Sequence, residues 1–183
     1  MSRDPKQVLR AMKALEQKVL WLSMWTIHNA NHIRENLDGL KVGGHQASSA
    51  SIATIMTALY FDILNPQDRV AVKPHGSPVF HSIQYMMGRQ SANALENFRA
   101  LGGAQSYPSR VKDKDEVDFS TGSVGLGVAM TLFASMVQDY TRRNKLVQSS
   151  SHENNQTGRM IAVMGDAELD EGNVYEALLE GWK

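Results

Sequence analysis

The stretch "MIAVMGDAELDEG", residues 160–172, sets four acidic side chains directly behind a short apolar run. Met160, Ile161, Ala162, Val163 and Met164 read as a buried β-strand that Gly165 ends, and Asp166, Glu168, Asp170 and Glu171 follow. Carboxylates at the carboxyl end of a parallel strand are suited to hold a cation, and a cation there holds a phosphate. The same acids also suit a solvated turn leading into a helix, since negative charge is favourable near a helix N-terminus. Both readings place a strand, a turn and a helix in succession.

Outward from this unit, the chain alternates helical and strand patterns. Asp4-Pro5 is a helix entry, and Val8, Leu9, Met12, Leu15, Val19, Leu22, Trp25 and Ile27 recur at helical spacing without a breaker to about Asn36. This predicts one long helix, or two with a break near Asn29–Asn31, either at an interface or in the core. Further helices are expected over Ser48–Asp62, Val79–Met87, Ala92–Leu101, Gly122 to about Val147, and from about Asn173. "RVAV", 69–72, is a second short strand; residues 102–118 form a long loop, and "SSSHENNQTG", 149–158, an exposed one. The alternation predicts an α/β fold, a mostly parallel sheet with helices on both faces, apparently incomplete at the C-terminus. The expected domains are an N-terminal helical segment, 1–42, and a main domain, 43–183.

Composition excludes several classes. The 183 residues carry 19 basic and 19 acidic side chains, a balance that points to neither nucleic acid nor a charged membrane surface. There is no cysteine, hence no disulfide or thiolate metal site. No apolar run approaches the roughly 20 residues of a membrane span, and the polar N-terminus lacks a signal-peptide core. The expectation is a soluble, cytoplasmic chain that exposes apolar surface when isolated.

Three other stretches carry candidate chemistry. In "STGSVGLG", 120–127, three glycines let backbone amides converge at a helix N-terminus, as a phosphate site requires, or let a helix pack closely. Neither the Walker loop nor the dinucleotide fingerprint is met. "GGHQAS", 43–48, and "KPHGSP", 73–78, each set a His beside Gly in a turn next to Ser, where it can act as acid, base or phosphate donor. The spacings fit neither a zinc site nor a nucleophile elbow nor a calcium loop.

Taken in order, "GGHQAS", "HGSP", "LENFR", "SYP", "SVGLG" and "GDAELDE" resemble the thiamine-diphosphate enzymes of the transketolase and pyruvate dehydrogenase group, in their amino-terminal, diphosphate-binding domain. Within the group the likeness is closest to the homodimeric first component of the bacterial pyruvate dehydrogenase complex. The resemblance implies thiamine diphosphate and magnesium as cofactors, with Asp166 as the metal ligand. It implies cofactor contacts from Ser48, Ser77, Tyr107, Val124, Gly125, Leu126, Gly127, Asp166, Ala167 and Glu168, and His45 and His75 as catalytic histidines. The implied reaction is decarboxylation of a 2-oxo acid such as pyruvate, with acyl transfer to lipoamide. The alternatives are a transketolase-type two-carbon transfer between sugar phosphates, or a non-catalytic assembly module of the same fold. Implied partners are the pyrimidine-binding domain, in the same or a second chain, a homodimer or heterotetramer mate, and a lipoyl acyltransferase.

Two departures from the family pattern stand out. Ala167 replaces the second glycine of Gly-Asp-Gly, and Lys73-Pro74 precede His75 in place of a polar residue and glycine. The family's second metal ligand, an Asn, lies farther beyond the Asp than the seventeen residues that follow Asp166 here. The expectation is therefore that this chain alone is not a competent enzyme.

Overall fold

The computed structural model describes residues 4–36, 38–146 and 157–183. They divide into two units whose segments alternate along the chain: Met1–Leu64 with Pro74–Val117, and Asn65–Lys73 with Asp118–Lys183.

The first unit is helical. Asp4 caps α1 (Pro5–His28) by accepting from the Lys6 amide at 3.0 Å, with Pro5 in the first turn, where its missing N–H costs nothing. α1 packs on α2 (Gln46–Ala58) and on α3 (Ser77–Met86), and α2 also packs on α3. Val19, Met56, Val79 and Ile83 are completely buried among them. Each such aliphatic side chain contributes about 1.5–3 kcal/mol. The Ser23 hydroxyl donates to its own helix at Val19 O, 2.6 Å, and reaches Ser82 at 3.3 Å. A second cluster joins Ala30, Ala94, Phe98 and Ala104, with Ala94 on α4 (Ala92–Glu96).

α1 does not run on to Asn36 as one regular helix. It widens into a π-helical turn over Asn29–Ile33 and stops at Arg34, whose backbone is extended. The two asparagines explain this. Asn29 Nδ2 donates to Glu96 O at 2.8 Å. Asn31 Nδ2 donates to Ile27 O and to Gly43 O, and its Oδ1 accepts from the Gly43 amide. Side-chain amides that bond backbone groups in this way compete with the regular ladder. α2 likewise ends in a π turn, Leu59–Ile63. α4 is five residues long where ten were expected, because Arg99 takes a left-handed backbone, φ +63°.

The second unit holds the sheet. β1 (Arg69–Val72) and β2 (Met160–Val163) pair in parallel, Arg69 opposite Met160 and Val72 opposite Val163. α5 (Leu126–Arg143) packs on both strands, and α6 (Gly172–Trp182) packs on α5. β1 buries Val70, Ala71 and Val72, whereas β2 is half-buried throughout rather than fully buried. The far edge of β1 is met by side chains: Asp118 accepts from the Val70 amide at 2.8 Å, and the Thr121 hydroxyl donates to Val72 O at 2.8 Å. α5 begins at Leu126 and not at Gly122, because Gly125 sits in the left-handed region at φ +79°. α5 and α6 expose Val137, Tyr140, Leu179 and Trp182. No described helix is long and apolar enough to cross a membrane. The polar loop expected at 149–158 lies, over 149–156, outside the described residues.

Register is pinned by Asp68. Its carboxylate accepts from the Asn65 amide, from the Arg159 amide at 2.7 Å and from the Arg159 guanidinium at 2.6 Å. The Arg159 side-chain bonds hold the Asp68 carboxyl well below its usual range, against the opposing effect of burial. A depressed folded pKa means the stabilisation is present above the unfolded value, 3.8, and is lost as pH falls through the folded one. Asp68→Asn is expected to lower stability by about 2 kcal/mol at pH 7. In urea unfolding from pH 7 to pH 2, the deficit should begin to close only below pH 4.

Candidate functional site

The carboxyl ends of β1 and β2 lie side by side, so Lys73 and Gly165-Asp166 emerge together. Lys73 is buried, and its Nζ lies 4.0 Å from where a β-carbon on Gly165 would stand. Burial depresses the Lys73 pKa; the carboxylates of Glu168 and then Asp166 act in the opposite direction. Glu168 is buried and turns back on its own loop: its Oε2 accepts from the Gly165 amide at 2.7 Å. That bond closes the 3₁₀ turn Asp166–Asp170. Asp166 and Ala167 are exposed. Ala167 has no left-handed backbone, so its methyl group is unstrained where the family pattern has glycine.

The glycine stretch abuts the end of the acidic turn. A β-carbon on Gly125 would stand 2.9 Å from Glu171 Cβ and 2.7 Å from Asn173 Oδ1, and one on Gly127 would press on Ala71 at 3.2 Å. Both glycines therefore serve close packing. The Leu126 amide donates to Ser123 O and that of Val128 to Gly125 O, while the amides of Gly125 and Gly127 have no acceptor among the described residues. Val124 and Leu126 are half-buried beside them.

In the first unit, His45 and His75 come together with ring centroids 4.1 Å apart and planes at 37°. His45 is the residue before the first turn of α2; His75 is half-buried in the 3₁₀ turn Pro74–Gly76 that feeds α3. Desolvation, then the charges of His75 and Arg99, push the His45 pKa down, so its imidazole is neutral at neutral pH and able to accept a proton. Ser77 is buried, Ser48 half-buried and Tyr107 exposed; none bonds to either imidazole among the described residues.

Three supporting residues were given no part in the site by the sequence. Asn31 and Arg99 hold the turn before His45, Asn31 through both backbone groups of Gly43 and Arg99 through Val42 O at 2.9 Å. His81, fully buried, holds the long loop: Nδ1 lies 2.6 Å from Asp115 Oδ2 and Nε2 lies 2.8 Å from Gln105 O. A carbonyl only accepts, so Nε2 carries a proton. With Nδ1 bonded to a carboxylate, the ring is an imidazolium, and its pKa is raised despite the opposing effect of burial. Asp113 is the third member of this cluster, the ligand-type atoms of all three lying within 4.8 Å of one another. Both Asp113 oxygens accept backbone amides, of Gln105 and Ser109. Protons and amides, not a metal, thus account for these contacts.

No protein-family model matches the chain. Among curated proteins it is similar to the pyruvate dehydrogenase E1 component of Escherichia coli K12, 28% identical over 172 residues and 89% of this chain. The E1 component of Cupriavidus necator is 30% identical over 71% of this chain. The chain is homologous to pyruvate dehydrogenase E1 components. Transketolase-like protein 2 of Mus musculus is a further relative, 31% identical over 74% of this chain. The chain spans 18%, 15% and 21% of the length of these three proteins.

His81 gives a pH prediction. A raised folded pKa means its stabilisation is fully present below the unfolded value, 6.5, and is lost as pH rises through the folded one. His81→Gln, which leaves Asp115 buried without its cation, is expected to cost about 3 kcal/mol at pH 6. The wild type should lose stability on the alkaline side and the variant should not, as read by urea unfolding between pH 6 and pH 10.

Proposed function

We propose that this chain is the diphosphate-holding part of a thiamine-diphosphate- and magnesium-dependent enzyme of the pyruvate dehydrogenase type. The observation that carries the reading is the strand-end arrangement. Asp166 stands exposed after β2, and two amides without acceptors stand at the start of α5, packed against the same acidic turn. A hard carboxylate oxygen suits magnesium, and free amides at a helix start suit a diphosphate, so the residues present fit the group. Asp166 holds the metal, and the amides of Gly125 and Gly127 bond the diphosphate oxygens. Val124, Leu126, Ala167 and Glu168 shape the site around them.

The chemistry that thiamine diphosphate brings is a carbon nucleophile and an electron sink beside a substrate carbonyl. Neutral His45 accepts and returns a proton at a ring nitrogen. Desolvation, then the charges of His75 and Arg99, keep His45 neutral, and His75, its ring centroid 4.1 Å away, orients the substrate oxygen. The substrate class is a 2-oxo acid, decarboxylated with acyl transfer to lipoamide on a lipoyl acyltransferase. The pyrimidine-binding domain, a second subunit and a cytoplasmic setting belong to the same reading. The transketolase-like relative supports a second one, two-carbon transfer between sugar phosphates.

Thermal unfolding of the chain with thiamine diphosphate and magnesium tests the reading. A ligand at one hundred times its dissociation constant adds about 2.7 kcal/mol. The expected result is a stabilisation that needs magnesium and disappears in Asp166→Ala; no stabilisation in the wild type sinks the proposal.

A further inference from the structure

The first unit holds a cavity of about 560 Å3 that none of the roles above uses. Its lining includes Arg34, Lys41 and Arg99, against one carboxylate, Asp38. In a chain of zero formal net charge this is a local excess of cations. Asp38 does not neutralise them: its Oδ1 accepts from the Leu40 amide at 2.9 Å, and no carboxylate lies within ion-pair distance of Arg34, Lys41 or Arg99 among the described residues.

The two guanidinium groups are held in place by neutral acceptors. Arg34 Nη1 donates to Phe98 O at 2.9 Å and to Glu96 O at 3.2 Å, and Arg99 Nη1 donates to Val42 O at 2.9 Å. Backbone carbonyls fix direction but supply no countercharge, and each guanidinium has five donors to satisfy. Arg99 Nε is buried without any acceptor. Arg99 also holds a left-handed backbone, φ +63°, secured by its amide bond to Ala104 O at 2.9 Å. A non-glycine residue kept in that region, with an unmet buried donor and no countercharge, marks a place prepared for something else. Gln105 and Ser106 add neutral polar groups to the lining.

Val42 and Arg99, both in the lining, also form or hold the turn that precedes His45. Arg99 anchors the turn Val42-Gly43 that leads into His45. Its Nη1 comes within 2.5 Å of where a β-carbon on Gly43 would stand, an approach that only glycine leaves open.

We propose that this cavity is an anion subsite, in which Arg34, Lys41 and Arg99 receive the charged distal group, a phosphate monoester or a carboxylate, of a substrate whose reacting end lies at His45 and His75. That the anion belongs to a substrate rests on the proposed function; that the cavity binds an anion does not.

The test is calorimetric titration of the 183-residue chain with inorganic phosphate at low ionic strength, in parallel with propionate. The expected result is saturable one-to-one binding. Lys41 is exposed, so Lys41→Glu leaves the fold intact while reversing one of the three charges, and it should weaken binding about tenfold or more. Asp166→Ala should leave phosphate binding unchanged, and together with the loss in Lys41→Glu this separates the cavity from the cofactor site. Phosphate binding alone assigns a phosphate monoester; comparable binding of propionate assigns a carboxylate. The absence of saturable binding for both anions overturns the proposal. So does binding that Lys41→Glu leaves intact, or binding that Asp166→Ala abolishes. A chain that binds phosphate this way but gains nothing from thiamine diphosphate and magnesium keeps the anion site and loses the cofactor reading.

Discussion

The Asp68 carboxylate is the constraint on which the sheet depends. It gathers the amides of Asn65 and Arg159 and the Arg159 guanidinium, and so fixes where β2 starts against β1. A parallel pair of four-residue strands has little else to hold its register. A slip of one residue would turn every side chain of a strand to the opposite face and carry Asp166 about 3.3 Å along β1. The closeness of Lys73 to Gly165 and Glu168 follows from that one clamp, because each stands just past the end of its strand.

Charge in this chain is balanced in total and uneven in place. At the strand ends a buried amine stands among carboxylates. In the first unit, three cations share a cavity with one acid, and a buried imidazolium stands between Asp115 and a backbone carbonyl. Each arrangement departs from what burial alone favours, which is neutrality. The first two border the residues argued to bind ligands, whereas the third ties the long loop to α3 and needs no ligand to explain it.

The local pattern made the strands and most helix bodies legible. "RVAV" is β1 residue for residue, and the apolar run before Gly165 is β2 less its last residue. Helix ends were less legible, since they depend on partners distant in sequence: a break near Asn29–Asn31 is only one of two readings, and α1 yields to a π turn there because Asn29 and Asn31 bond Glu96 and Gly43. The two Gly-flanked histidines stood out because glycine and histidine share each motif, and the fold sets their rings together. His81 was silent because nothing beside it in sequence shows its role, and Arg99 and Asn31 are legible only within "LENFR" and a helix break, not as holders of the turn before His45. The partners of His81 lie 24 and 34 residues away, and Val42 lies 57 residues before Arg99.

The separation between the two halves of the Asp68 clamp bears on how the chain is made. Arg159 follows Asp68 by 91 residues. At ribosomal elongation rates that interval lasts on the order of ten seconds. Throughout it Val70, Ala71 and Val72 lack the strand they pair with, while the helices that precede them are already made. Asp118 and Thr121, which bond the Val70 amide and the Val72 carbonyl, emerge well before Arg159 does. They shield one side of the strand during that delay; the other stays open to a chaperone, or to another nascent chain.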